Sequence, residues 1–396
     1  MRIKDIFLSL IILCIFFLSG CWDYRELNQI AFAMAIGIDK VPDKNEYRIS
    51  FQIVNAKTIA SEKGAIGMAP IIVYSSTGKN LLLATRKASK QVPRKINAQH
   101  TRAIIIGEQL AKEGIRDVVD LIERDPELRV TTTVLIAKNS DANTILKTLT
   151  PIENIPANAI LGKLNTTEKI FAANYSANID DVIRGILTTG GGPIISGIQL
   201  TNKTVSHSHL SNLQKTDISN RLSIQDMAVF KKDKLVGWIE GTKRTQGLSW
   251  INNKMKGSIV ALNCGRKKEA IAIEIFHSKT KIKAEFKDNR PLIRIHITER
   301  GAVGEAMCAV HLSDFKEIHM LEQQWENKVK LEVQEAIKKA QRLKTDVLGF
   351  GVALERDNPQ KWNEIKNTWR EIFPTCKVEV QVTAKIRRSG QIINPY

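Results

Sequence analysis

After residue 20 the chain holds no apolar run approaching the roughly 18 residues that read as a membrane span. Everything downstream is therefore expected to fold in water. Cysteine is scarce: five residues, at 14, 21, 264, 308 and 376, with no CxxC pair. That argues against a small disulfide scaffold and against the usual zinc and redox signatures. There is no collagen-like, low-complexity or disordered bias, and aromatic residues make up only 6%. Catalytic signatures are missing too. Gly78-Lys79 is followed by Asn80, and Val73 stands where a P-loop needs its leading glycine. Neither a GxSxG elbow nor HExxH occurs. Gly190-Gly191-Gly192 runs into Pro193 and reads as a loop. His207 and His209 sit in a polar stretch with no acid or cysteine at ligand spacing. His100 reads as a capping residue before a strand. The expectation is a protein with no catalytic residues, no metal and no cofactor, hence not an enzyme. RNP-like, zinc-finger and basic-zipper patterns are absent as well, so no nucleic-acid partner is expected.

What the chain does have is charge and a distinctive start. Its 396 residues are 43% hydrophobic and carry a formal +18, from 59 Lys and Arg against 41 Asp and Glu. The length suggests two or three domains, each able to bury its own core. Arg2 and Lys4 precede the apolar run Ile6–Leu18, which ends in Leu18-Ser19-Gly20-Cys21. This is a signal peptide over residues 1–20 that closes on a bacterial lipobox. Cleavage is expected between Gly20 and Cys21, with S-diacylglycerol and an N-acyl chain on Cys21. Each buried methylene contributes about 0.8 kcal/mol, and acylation with more than one chain anchors stably where one chain does not. The mature chain loses Arg2, Lys4 and Asp5, and its basic surplus suits anionic partners. That surplus reads either as a well-solvated surface or as a membrane-facing patch. Cys14 leaves with the signal, so Cys264, Cys308 and Cys376 remain. An oxidising compartment would permit one bridge and leave at least one thiol free. Three buried, inert cysteines are the expected state.

Along the chain, Ile30–Asp39 reads as a buried strand, and Tyr47–Val54 as its hairpin partner after a turn at Pro42–Asn45. Residues 57–70 read as a loop, Asn80–Lys90 and Glu108–Asp125 as helices, and Thr101–Ile106 and Arg129–Ala137 as strands. A strand is also expected at Ile194–Leu200. Met227–Phe230 and Leu235–Ile239 form a hairpin that opens the C-terminal half. Further strands follow at Ile271–Phe276, Ile282–Phe286 and Leu292–Thr298. A long amphipathic helix spans about 315–345, with Ile318, Leu321, Trp325, Val329 and Val333 on one stripe. A second helix starts at Asn358-Pro359 and buries Trp362, Ile365, Trp369 and Phe373. The expected fold class is α+β, with mixed sheets packed against helices in three domains and no transmembrane helix once the signal is gone. Its parts are an N-terminal α/β domain at 21–138, a middle segment at 139–201, a polar linker at 202–220 and a C-terminal α+β domain at 221–396.

The ordered set of motifs resembles the Ger(x)C spore germination lipoproteins. The residues concerned are the lipobox followed by Trp22-Asp23, then Ile36-Gly37-Ile38-Asp39, and Arg94 through His100-Thr101-Arg102 to Gly107-Glu108. Leu110-Ala111, Gly114-Ile115, Arg124-Asp125 and Arg129 continue the pattern. In the second half Ala228-Val229-Phe230, Gly237-Trp238, Asp346, Gly349-Phe350-Gly351, Trp362, Trp369, Gly390 and Pro395 complete it. The resemblance implies the lipoprotein C subunit of a nutrient germinant receptor. Such a subunit is lipid-anchored on the outer face of the spore inner membrane, beside A-type and B-type membrane subunits. The competing reading is a lipid-anchored solute-binding protein of an uptake system. It predicts two α/β lobes around a cleft, whereas the C-terminal half here lacks βα repeats.

Overall fold

A computed structural model describes residues 26–56, 58, 68–202, 208–211 and 221–388. The signal peptide, Cys21, Trp22-Asp23, His207, Gly390 and Pro395 lie outside the described residues, as does most of 57–70 and 202–220.

Two sheets carry the fold. The first contains β1 (Ile30–Lys40), β2 (Tyr47–Val54), β3 (Ile71–Gly78), β4 (Lys95–Asn97), β5 (Ala103–Gly107), β6 (Thr133–Ala137), β7 (Ala177–Asn178), β8 (Ile194–Leu200), β9 (Leu222–Lys231) and β10 (Lys234–Ile239). Its order is β10-β9-β8-β6-β5-β1-β2-β3, with β4 on β1 and β7 on β6. Neighbours among β1, β5, β6 and β8 are parallel, while β2–β3 and β9–β10 flank them as antiparallel pairs. The centre is covered on both faces, so β5 (Ala-Ile-Ile-Ile-Gly) and β6 (Thr-Val-Leu-Ile-Ala) are buried throughout and almost wholly apolar rather than alternating. Helices Leu81–Ala88, Arg116–Arg124 and Ile179–Leu187 pack on one face, and Ala142–Lys147 with Pro156–Ile170 on the other.

The second sheet runs β11 (Ser258–Cys264), β12 (Lys267–Lys287), β13 (Arg290–Ala306) and β14 (Lys377–Arg388). The first three strands are antiparallel neighbours. β14 lies parallel to β13, a pairing that requires a crossover. The helix Phe315–Arg342 begins that crossover. Its stripe of Leu321, Trp325, Val329, Val333, Ala336 and Ala340 is buried on one side of the sheet. Among the described residues no helix is long and apolar enough to cross a membrane.

Several sequence expectations need correction. The Met227–Ile239 hairpin does not stand with the second sheet: β9 pairs antiparallel with β8 in the first. Its side chains alternate between two cores. Ala228 and Phe230 join the first-sheet core, while Met227, Val229 and Ile239 pack with Trp250 and Trp325 of the second. The expected helix Glu108–Asp125 is two, Glu108–Glu113 and Arg116–Arg124, broken at Gly114. There φ is +136°, a value L side chains rarely adopt, and Ile115 N–H donates to the Asp233 carbonyl instead. The helix from Pro359 likewise ends at Ile365 and restarts at Trp369. Finally, Cys264 and Cys308 are joined by a disulfide, with Cα atoms 6.5 Å apart. The pairing of β12 with β11 and β13 brings the two together across 44 residues, which sequence spacing alone does not reveal. Among the described residues Cys376 alone is a free thiol; it is buried, and burial pushes it up to about 12.

Candidate functional site

The parallel strands of an open α/β sheet commonly place ligands at their carboxyl ends, and the motif residues of the first half gather there. Gly37 lacks a side chain because the helix Ala142–Lys147 lies against it: a Cβ would stand 2.9 Å from Leu146 Cδ1. Two residues on, the Asp39 carboxylate accepts from the backbone N–H groups of Ala142 (2.7 Å) and Asn143 (3.1 Å), satisfying the open end of that helix. Burial raises this carboxyl to about 6, against the pull of those two amides. Gly107 ends β5 beside it, and any Cβ there would collide with Asp39 Oδ1.

Glu108 follows directly. It accepts from Asn139 N–H (2.6 Å) and from Trp238 Nε1 (3.3 Å) and pairs with Lys112 (3.0 Å). Lys138 Nζ lies 2.7 Å from Asp226 Oδ2, 2.6 Å from Glu240 Oε1 and 5.1 Å from the centre of the Trp238 ring. Burial works against the ammonium, but the two carboxylates outweigh it and hold its pKa above the usual lysine range. These groups are spent on one another. The cluster is a clasp that fixes the β9–β10 hairpin to the parallel strands.

Open space lies on the face carrying helices Leu81–Ala88 and Arg116–Arg124, where a cleft of about 750 Å³ has a floor of Ile38, Ile49, Phe51 and Ile104. Its rim is polar. Tyr47 donates to Asp117 Oδ2 across 2.6 Å, and this bond, with burial adding to it, pushes the phenol up to about 12. Lys95 and Glu127 pair at 3.6 Å near the other end. Both volume and apolar lining fall in the range of small-molecule sites. No local motif points to it, because strands and helices far apart in the chain build it together.

In the second half the motif residues make a buried knot. Asp346 accepts from the N–H groups of Leu348 (3.3 Å), Phe350 (3.1 Å) and Gly351 (2.6 Å) and from Trp369 Nε1 (2.9 Å). Gly349, at φ +74°, makes the turn that aims these amides inward. Trp362 and Trp369 meet edge to face at 5.7 Å, and Trp369 packs onto Gly190, whose carbonyl accepts from Asp346 N–H. The glycine run 190–192 is thus a docking turn between the halves.

The other candidates do not converge. His100 is exposed and lies edge-on to Phe32, His209 is exposed, and Asn80 caps the helix Leu81–Ala88 through Leu83 N–H. Among the described residues no cluster of His, Cys, Asp or Glu is placed to hold a metal.

Comparison with known proteins gives one consistent answer. Residues 23–200 match the family described as "Spore germination protein N-terminal domain", and residues 225–390 match "Spore germination B3/ GerAC like, C-terminal". Spore germination protein KC of Bacillus subtilis (strain 168) is 33% identical over 398 residues, covering 99% of this chain and 97% of that protein. Spore germination protein B3 of the same organism is 26% identical and covers 99% and 98%. The crystal structure of the GerBC protein superposes with a TM-score of 0.54 at 21% identity, covering 92% of this chain and 99% of that one, which supports a common fold. The chain belongs to the Ger(x)C family of spore germination proteins.

Proposed function

We propose that this chain is the lipoprotein C subunit of a nutrient germinant receptor, tethered through Cys21 to the outer face of the spore inner membrane. The observation that carries the reading is the lipobox Leu18-Ser19-Gly20-Cys21, placed just ahead of a chain that matches spore germination families in both halves. The Cys264–Cys308 bridge fits an oxidising compartment outside the cytoplasm. The subunit works by assembly with A-type and B-type membrane subunits and not by turnover. Its motif residues Asp39, Glu108 and Asp346 are committed to internal hydrogen bonds, which leaves them to hold a rigid surface. Tethering raises the effective concentration of such a surface near its partners.

The test is complementation of spores lacking the native copy. Cys21→Ala should leave the protein unlipidated and the nutrient response defective, and a tagged wild-type copy should co-purify membrane subunits. Normal germination with a form that never reaches the membrane would overturn the reading.

A second reading, direct capture of a small solute, is favoured only by the 750 Å³ cleft. A thermal-shift screen of nutrients on the chain from Trp22 onward tests it. A hit abolished by Ile49→Trp, which fills the floor, would support solute binding.

A further inference from the structure

The second sheet has one face under helices and one face open. Along β12 the inward positions include Ile273, Ile275 and Ala284, while Lys279, Lys281 and Lys283 alternate outward and are exposed. Cross-strand neighbours share a face, so Lys283 stands opposite Arg294, Lys281 opposite His296, and His277 opposite Arg300. At one end acids answer the charge: Arg294 pairs with Glu285 (2.7 Å) and Glu379 (3.1 Å). Among the described residues no ion pair reaches Lys279, Lys281, Lys283 or Arg300, although Lys283 lies near enough to Asp357 to help lower its carboxyl. A solvated sheet face is ordinary, but three successive outward lysines on one strand repel one another, and across the seam they meet Thr298, His296 and Arg294 rather than an acid. Such an arrangement indicates an external anion.

We propose that this open face, centred on Lys279, Lys281, Lys283 and Arg300, lies against an anionic bilayer surface. The inference rests on the reading of the chain as a membrane-tethered subunit. Two features favour lipid over an acidic protein. Successive outward lysines on a strand are about 6.6 Å apart and neighbouring strands about 4.8 Å apart, so the charges form a shallow grid without a pocket. Ammonium groups are point charges that demand no fixed partner geometry, which suits headgroups that move laterally. Alternation from the inward Ile273 and Ile275 also leaves Phe276 outward, 51% exposed, and at the same end Ile259 on β11, 53% exposed, stands opposite Glu274, an acid at the edge of the cationic stretch. Apolar side chains beside cations are what an interfacial surface inserts at headgroup level.

The experiment is sedimentation of the chain from Trp22 onward with vesicles. That chain contains every described residue and carries no lipid, so Cys21 plays no part in the result. Vesicles of phosphatidylcholine alone are compared with vesicles containing one part in three phosphatidylglycerol, at low and high salt. Binding is expected only to the anionic vesicles and should weaken at high salt. The variant Lys279→Gln/Lys281→Gln/Lys283→Gln/Arg300→Gln should bind at least ~10-fold more weakly, given the contribution of each basic residue near an anionic surface. A control with the same charge change elsewhere, Lys87→Gln/Lys90→Gln/Arg116→Gln/Lys147→Gln, should stay within about twofold. Thermal melts verify that both variants fold. Equal loss in the two variants, no preference for anionic vesicles, or capture of an acidic protein without vesicle binding would each overturn the proposal. Failure here leaves the lipidation test of Cys21 untouched, so the two claims fall separately.

Discussion

Trp369 Nε1 donates to Asp346 Oδ2 at 2.9 Å, where the C-terminal aromatic cluster meets the glycine turn of the first half. The carboxylate serves four donors, and an amide cannot accept at both of its ends. Asp346→Asn is therefore expected to lower stability by about 2–4 kcal/mol, since buried donors are left unanswered. Trp369→Phe removes one donor and part of the packing and should cost less, about 1–3 kcal/mol. Urea unfolding of both variants checks the order. Equal stability of Asp346→Asn and wild type would show that the knot is not structural.

Glu299 supplies a pH prediction. It is fully buried on β13 and accepts from Trp250 Nε1 at 2.6 Å. Burial raises its carboxyl from 4.5 to about 7, with the Trp250 bond opposing. The folded chain thus holds this proton more tightly than the unfolded chain does. The stability it contributes is complete below about pH 4.5 and is lost as pH rises through 7. Glu299→Gln should flatten the fall in unfolding free energy between about pH 5 and 8. Glu332, raised to about 7 by burial, will leave part of the slope in place. An unchanged slope in the variant would contradict the assignment.

The Cys264–Cys308 bridge closes a long loop at one end of the second sheet. Replacing both cysteines with serine should cost about 2–4 kcal/mol, read as a lower Tm. Cys376 should resist thiol reagents until the chain unfolds, because burial keeps it protonated. Rapid labelling of the native protein would refute this.

Two glycines should respond in opposite directions to alanine. Gly107→Ala drives a methyl into Asp39 Oδ1 and unseats the amides of Ala142 and Asn143, so a loss of about 2–4 kcal/mol is expected. Gly162 sits in the helix Pro156–Ile170 with nothing within 4 Å of a Cβ, and alanine there should add about 0.5–1 kcal/mol through helix propensity. Thermal melts of the pair, run side by side, distinguish a required glycine from a tolerated one.

Much of the local structure was legible because it is local. The buried run of β1, the alternation of β2 and the stripe of Phe315–Arg342 are each written into one segment. So were the motif residues, although their purpose was not. Asp39 meets Ala142 across 103 residues, and Glu108 meets Trp238 across 130. No periodicity encodes such a meeting. The same reason hid the disulfide, the cleft and the true neighbours of the Met227–Ile239 hairpin. That hairpin is recognisable from its own residues, but which sheet edge receives it depends on β8.

The seam between β8 and β9 also sets an order of events in the life of the chain. Residues emerge from the N-terminus first, and β8 is complete at Leu200, yet its antiparallel partner begins at Leu222 and the hairpin closes only at Ile239. Until then β8 presents a bare row of amides and carbonyls, a template for any extended segment nearby. A nascent chain halted near residue 200 is thus expected to be sticky, and the first sheet cannot reach its final state during that interval. Fragments cut at 200 would inherit the same exposed edge. Extending them through Ile239 supplies the missing cover, at the cost of baring Met227 and Val229, which belong to the other core.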